Sequence, residues 1–81
     1  MEFVEGIKVE LDEEDLEMRE KGYKFRLWLE VEDEYGMRFR RTEYFKSIDE
    51  MREYTKRYFE MNDDLYFSDR EVIDLEKEEY I

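Results

Sequence analysis

Between Tyr23 and Glu32 the chain alternates: Tyr23, Phe25, Leu27, Leu29 and Val31 interleave with Lys24, Arg26, Trp28, Glu30 and Glu32. Successive side chains of an extended strand point to opposite faces, so this run specifies a strand with one apolar face and one mostly polar face. The apolar face must be covered, and the remaining sequence has to supply both the cover and the strand partners. Nothing else in the chain constrains the fold as tightly.

Ile7, Val9 and Leu11 alternate with Lys8 and Glu10 and predict a first, half-buried strand. Residues 12–22 admit two forms. With Lys21-Gly22 as a two-residue turn, Met18 faces Phe25, Leu16 faces Leu27 and Glu17 faces Arg26, so apolar meets apolar and acid meets base. In the competing form Asp12 caps a short acidic helix, Asp15 is its third residue and Gly22 ends it. The hairpin is the expectation adopted. After Val31, a loop of Asp33-Glu34-Tyr35 with Gly36 at positive φ pairs Val31 with Met37, Glu30 with Arg38, Leu29 with Phe39 and Trp28 with Arg40. A β-bulge near Arg40-Arg41 then brings Arg26 opposite Glu43 and Phe25 opposite Tyr44.

Ser47-Ile48-Asp49-Glu50 is a capping box, and Ile48, Met51, Thr55, Tyr58 and Phe59 follow on one helical stripe as far as Asn62. This helix is expected to cover the apolar sheet face. Leu65 to Phe67 look extended, and Ser68-Asp69-Arg70-Glu71 is a second capping box that starts a short helix, with a strand through Val72 to Leu75 as the alternative. The fold class is therefore α+β: a three- or four-stranded, mainly antiparallel sheet covered on one face by a helix, with a short C-terminal helix or strand. At 81 residues the chain is one domain with shallow pockets. A hydrophobic content of 41% distinguishes it from a solvating acidic tail.

Charge bears on function. Twenty-six acids against fourteen bases give a net −12, and the excess sits at the two ends: −7 over residues 1–20 and −6 over residues 63–81, with a nearly balanced middle. Such a surface repels nucleic acid and acidic membranes and steers toward basic partners. The candidate partner-binding residues are Asp12, Glu13, Glu14, Asp15 and Glu17 from the first block, and Asp63, Asp64, Asp74, Glu76, Glu78 and Glu79 from the second. Trp28, on the polar side of the long strand, is a candidate interface anchor; a cation–π contact with a neighbouring arginine is the plainer alternative. Arg38, Arg40, Arg41 and Lys46 resemble a nucleic-acid patch, but their cross-strand acids point to internal pairing. Tyr54, Tyr58, Tyr66 and Tyr80 are cover for a small core.

Chemistry is poorly provided for. His and Cys are absent, both serines are committed to caps, no Gly-rich phosphate loop occurs, and no Asp-x-Asp-x-Asp-Gly pattern supports a calcium site. No enzyme activity, metal or cofactor is expected. Gln, Ala and Pro are also missing and Asn62 is the sole Asn, a depletion found in thermophiles and in purine-rich coding sequences alike. Met1 to Glu10 is acidic, unlike a secretory signal, and cytoplasm is the expected compartment.

Small size, strong acidity and lack of reactive groups together resemble the small acidic inhibitors of phages and mobile elements, the anti-CRISPR and anti-restriction proteins that imitate nucleic acid. The resemblance is one of class across the whole chain and carries no motif, so the acidic runs are nominated on charge alone. It implies a non-catalytic inhibitor whose carboxylates occupy the Lys/Arg contacts of a nuclease or another nucleic-acid-binding protein. The alternative is a structural or regulatory interaction module, homodimeric through a sheet edge or the face around Trp28, with acidity serving solubility.

Overall fold

A computed structural model of the protein describes residues 8–81. Helix α1 (Glu13–Glu20) precedes strands β1 (Phe25–Glu32) and β2 (Arg38–Phe45), helix α2 (Ile48–Met61), and strands β3 (Tyr66–Asp74) and β4 (Glu79–Tyr80). The strands form one antiparallel sheet in the order β2-β1-β3-β4, the expected α+β architecture.

The long alternating segment is the central strand. Leu27, Leu29 and Val31 are buried on one face with Met51 of α2 and Val72 of β3, while Phe45, Ile48, Tyr54, Tyr58, Phe59 and Leu65 close the edges of this core. Ser47 caps α2 by accepting from the Glu50 amide at 3.1 Å, and the Glu50 carboxylate reaches back to the Lys46 amide at 3.2 Å. Asn62 ends the helix, its backbone and side-chain amides both donating to the Tyr58 carbonyl.

The polar face of β1 is also covered in part, by α1. Residues 12–22 form the helix, not the hairpin: Asp12 and Asp15 make reciprocal capping bonds at 2.9 and 3.3 Å. Gly22, at φ 99°, ends the helix, with the Gly22 amide donating to the Arg19 carbonyl and the Tyr23 amide to the Met18 carbonyl. A hairpin of Leu16 and Met18 with β1 is excluded because β3 occupies that edge of β1. The helix lies over Arg26 and Tyr44, register partners on the face opposite α2. Ile73 pairs with Arg26 on this face, and both Ile73 and Leu75 are fully buried.

Strand register and the C-terminal segment also differ from the expectation. β1 and β2 pair Val31 with Phe39, Glu30 with Arg40 and Leu29 with Arg41, two residues out of step with the expected hairpin, and Arg26 with Tyr44, one residue out of step, with no bulge between. Asp33 sets this register: its amide donates to the Met37 carbonyl, its carboxylate accepts from the Tyr35 and Met37 amides, and Gly36 at φ 81° completes a three-residue loop. The bulge expected for the sake of an Arg26–Glu43 pair is unnecessary, since Arg26 finds Asp15. An irregularity occurs in the other ladder, between Glu30 and Val31 against β3.

Residues 66–74 are a strand, so Ser68 starts no helix. Asp69 instead accepts from the adjacent Arg70 amide, and the segment satisfies the second edge of β1, which a helix would leave unpaired in the interior. Of the first predicted strand, Ile7 lies outside the described residues. Lys8 makes an isolated bridge to Glu79, and no longer strand forms over residues 8–11.

Candidate functional site

The first acidic block and the C-terminal part of the second, far apart in sequence, meet in space. The Val9 amide donates to the Glu78 carbonyl at 2.8 Å, Lys8 approaches Glu79 at 4.0 Å, and Arg19 of α1 donates to the Leu75 carbonyl at 3.3 Å. These contacts join the 8–12 segment and α1 to the tight turn connecting β3 and β4. Asp12, Glu13, Glu14 and Glu17 are exposed on the helix, and Glu76 and Glu78 are exposed on the turn. Asp74 is half-buried because it builds the turn, accepting from the Glu76 and Lys77 amides at 2.9 and 3.0 Å. Glu78 stands at φ 56°, a left-handed position usually given to Gly or Asn, and its side chain is exposed. Glu79 is half-buried beside Lys8.

Asp15 does not belong to this surface. Its side chain is fully buried, 2.6 Å from the Arg26 guanidinium and 2.7 Å from the Tyr44 hydroxyl, which donates to it. Burial alone would raise the Asp15 pKa, but the Tyr44, Arg26 and Asp12 amide donors outweigh it and hold the carboxyl below its ordinary value. Tyr44 responds in the opposite sense: burial, then the adjacent Asp15 carboxylate, pushes its phenol well above the ordinary range. Asp15 looked like its neighbours in sequence because helical periodicity alone decides which acid of the run turns inward.

Asp63 and Asp64 are exposed in the loop between α2 and β3, at the end of the sheet opposite the β3–β4 turn. Neither joins the acidic surface. Trp28 lies on the face expected for it, half-buried between Thr42 and Glu71 in register. Among the described residues the cation–π contacts involve tyrosines rather than Trp28: Arg41 stands 5.7 and 5.1 Å from the ring centroids of Tyr54 and Tyr58, and Lys46 5.3 Å from Tyr23.

Three arginines lie at the other edge of the sheet, whereas Lys8, Arg19, Lys24 and Lys77 lie beside the acids of the turn, with Lys24 3.7 Å from Glu76. Arg38 and Arg40 both lie 3.7 Å from the buried Glu30 carboxylate, and Arg41 donates to Glu43 at 3.0 Å, so these arginines are internally paired as expected. The arginines of β2 thus lie at one edge of the sheet and the carboxylates of the β3–β4 turn at the other, while α1 spans the face between them, Asp15 reaching Tyr44 of β2 and Arg19 reaching Leu75. Beside β2 runs a groove of about 780 Å³ lined by Arg41, Tyr54, Arg57, Tyr58 and Met61 among others. The sequence reading passed over it. Its signal was the spacing of Tyr54, Tyr58 and Met61, which broadens the apolar stripe of α2 beyond what the sheet covers.

Among the described residues no group of three or more acids is arranged to hold a metal ion, and no helix is long and apolar enough to cross a membrane. Comparison with protein-family models, curated proteins and solved structures finds no match to this chain.

Proposed function

We propose that the chain is a non-catalytic acidic binding protein that occupies the basic, nucleic-acid-binding surface of a partner protein, with carboxylates in place of phosphates. The observation that supports this most is the convergence of the α1 acids with those of the β3–β4 turn, while Arg38, Arg40 and Arg41 are paired at the β2 edge with Glu30 and Glu43. Like charges are driven together here by the Val9 backbone amide on Glu78 and the Arg19 guanidinium on the Leu75 carbonyl, and the self-repulsion costs folding stability. Binding to a cationic surface would relieve that repulsion. The residues proposed to touch the partner are Asp12, Glu13, Glu14, Glu17, Glu76 and Glu78, with Asp74 shaping the turn and Asp15 holding α1 in place. Neither turnover nor a cofactor enters.

Neutralisation tests this. Glu13, Glu14, Glu17, Glu76 and Glu78 changed together to Gln leave both capping aspartates untouched. The variant should keep the circular dichroism spectrum of the wild type yet lose affinity for purified nucleic-acid-binding proteins that retain the wild type. Equal retention of both chains would sink the proposal.

The second reading, a structural or regulatory interaction module, draws support from large apolar side chains left on the surface: Met37, Phe39, Met61 and Phe67 are 58, 47, 83 and 57% exposed.

A further inference from the structure

β2 ends the sheet, and no described residue pairs with its outer side. The Asp33–Met37 bond at the base of the hairpin fixes which backbone groups face outward. Bonding alternates along an antiparallel ladder, so Phe39, Arg41, Glu43 and Phe45 bond to β1, whereas Arg38, Arg40, Thr42 and Tyr44 present their N–H and C=O groups to the free edge. Natural edges are usually short, bulged or covered. This one is an unbulged eight-residue strand.

We propose that β2 pairs antiparallel with β2 of a second copy of this chain, with Thr42 on the two-fold axis. The symmetric way to pair an edge strand with itself while keeping both copies' faces aligned is an axis normal to the sheet, which sets one residue against its own copy. An axis at Arg40, Arg41 or Glu43 opposes like charges, and one at Phe39 sets Arg38 against the partner's Arg40. An axis closer to either end leaves most of the strand unpaired.

At Thr42 the pattern is complementary. Arg41 meets the partner's Glu43, Glu43 meets the partner's Arg41, Phe39 meets the partner's Phe45, and Arg40 meets the partner's Tyr44. In this register Thr42, Arg40 and Tyr44, the residues with outward-facing backbone groups, form the hydrogen-bonded pairs. The one adverse pair, Arg38 with the partner's Lys46, falls at the strand ends. There Arg38 is held 3.7 Å from Glu30 and Lys46 lies against the Tyr23 ring.

The same axis closes the groove. A rotation normal to the sheet keeps both α2 helices on one side, running antiparallel, with the apolar flank of each turned toward the other across β2. Tyr54, Tyr58 and the 83%-exposed Met61 are thereby covered, while Glu53 and Arg57, 3.0 Å apart within one helix, bring opposite charges to the seam. The carboxylates of the β3–β4 turn lie at the far edge, and those of α1 lie over the sheet face opposite α2 rather than in the strand seam, so substitutions at Thr42 test dimerisation apart from the acidic binding proposed above. Because each copy carries −12, association should tighten as salt screens the repulsion between the acidic flanks.

Sedimentation velocity on the purified chain at about 0.15 M and about 0.5 M salt should give a dimer, tighter at the higher salt. Thr42 is exposed, so Thr42→Lys should fold as the wild type does but weaken the dimer by roughly tenfold or more, because two ammonium groups then face each other. Mixing T42K with T42E should restore association. Since the chain has no cysteine, Thr42→Cys supplies a single thiol. Its Cα would lie about 5.5 Å from its copy, within disulfide reach, and mild oxidation should crosslink it faster than an exposed control, Glu60→Cys. A monomeric wild type would overturn the proposal. So would a dimer that T42K leaves intact, or a T42C chain that crosslinks no faster than the control.

Discussion

Asp15→Asn removes one charge from a block in which neighbouring neutralisations should be harmless, and it should be the exception. The wild-type carboxylate is fully buried and accepts two short bonds, from Arg26 at 2.6 Å and from the Tyr44 hydroxyl at 2.7 Å. Asparagine keeps the shape but retains a single acceptor oxygen, so its amide must face either a guanidinium or a hydroxyl that is itself donating. Breaking a buried ion pair costs about 3–5 kcal/mol. The Arg26 side chain stays 21% exposed and can be rehydrated, which places this loss near the lower end, about 3 kcal/mol. For a domain of this size each kcal/mol moves the melting temperature by about 4–8 °C, so the expected drop is roughly 12–24 °C. Thermal melts followed by circular dichroism at pH 7 measure it, with Glu14→Gln as the equal-charge control. The pH dependence follows from linkage. The folded pKa of Asp15 lies below its ordinary 3.8, so its contribution is present above that value and is lost as pH falls through the depressed folded pKa. The gap between wild type and variant should therefore narrow in strong acid. A melting temperature for Asp15→Asn as close to wild type as that of Glu14→Gln would refute the buried-pair account.

Leu29→Ala should cost about 2–5 kcal/mol in urea unfolding, and Trp28→Ala less, because Leu29 is fully buried and Trp28 only partly so; the reverse order would mean the strand faces are exchanged. Ser47→Ala should cost about 0.5–2 kcal/mol through loss of the cap, whereas Ser68→Ala, within β3, should show no capping loss. A large effect at Ser68 would restore the helix that the sequence suggested. The melting temperature of the wild type should rise between about 10 and 150 mM salt as repulsion among the carboxylates is screened; a fall would show that attractive pairs dominate.

The parts of the fold legible in sequence were those fixed by local periodicity. The Tyr23–Glu32 alternation and the Ile48–Phe59 stripe specify their elements because one covers the other. Failures came where two local signals were equally good and a distant contact chose between them. Asp12-x-x-Asp15 with Gly22 describes the helix fully, yet the hairpin matched side chains as well; what rejects it is β3 on the second edge of β1. Ser68-x-x-Glu71 is a sound capping pattern overruled by the same vacancy. At the candidate site, sequence identified the acidic blocks but not their meeting. Their junction runs through the Val9 amide on the Glu78 carbonyl and the Arg19 guanidinium on the Leu75 carbonyl, and a backbone acceptor leaves no trace in the sequence to say which arginine will reach it. It also counted Asp15 with its exposed neighbours and grouped Asp63 and Asp64 with residues at the other end of the sheet.

The carboxylates of α1 and the β3–β4 turn are proposed to take the place of phosphates on a partner. The most direct measurement is competition. Purified nucleic-acid-binding proteins retained by the immobilised chain are challenged with duplex DNA, and their affinity is followed from about 50 to 200 mM salt, the range over which protein–DNA complexes weaken steeply. The account predicts that DNA displaces the bound protein, that affinity falls with salt, and that the Glu13, Glu14, Glu17, Glu76, Glu78→Gln chain retains little of it. Retention that DNA leaves unchanged and salt leaves undiminished, equal for both chains, would contradict it.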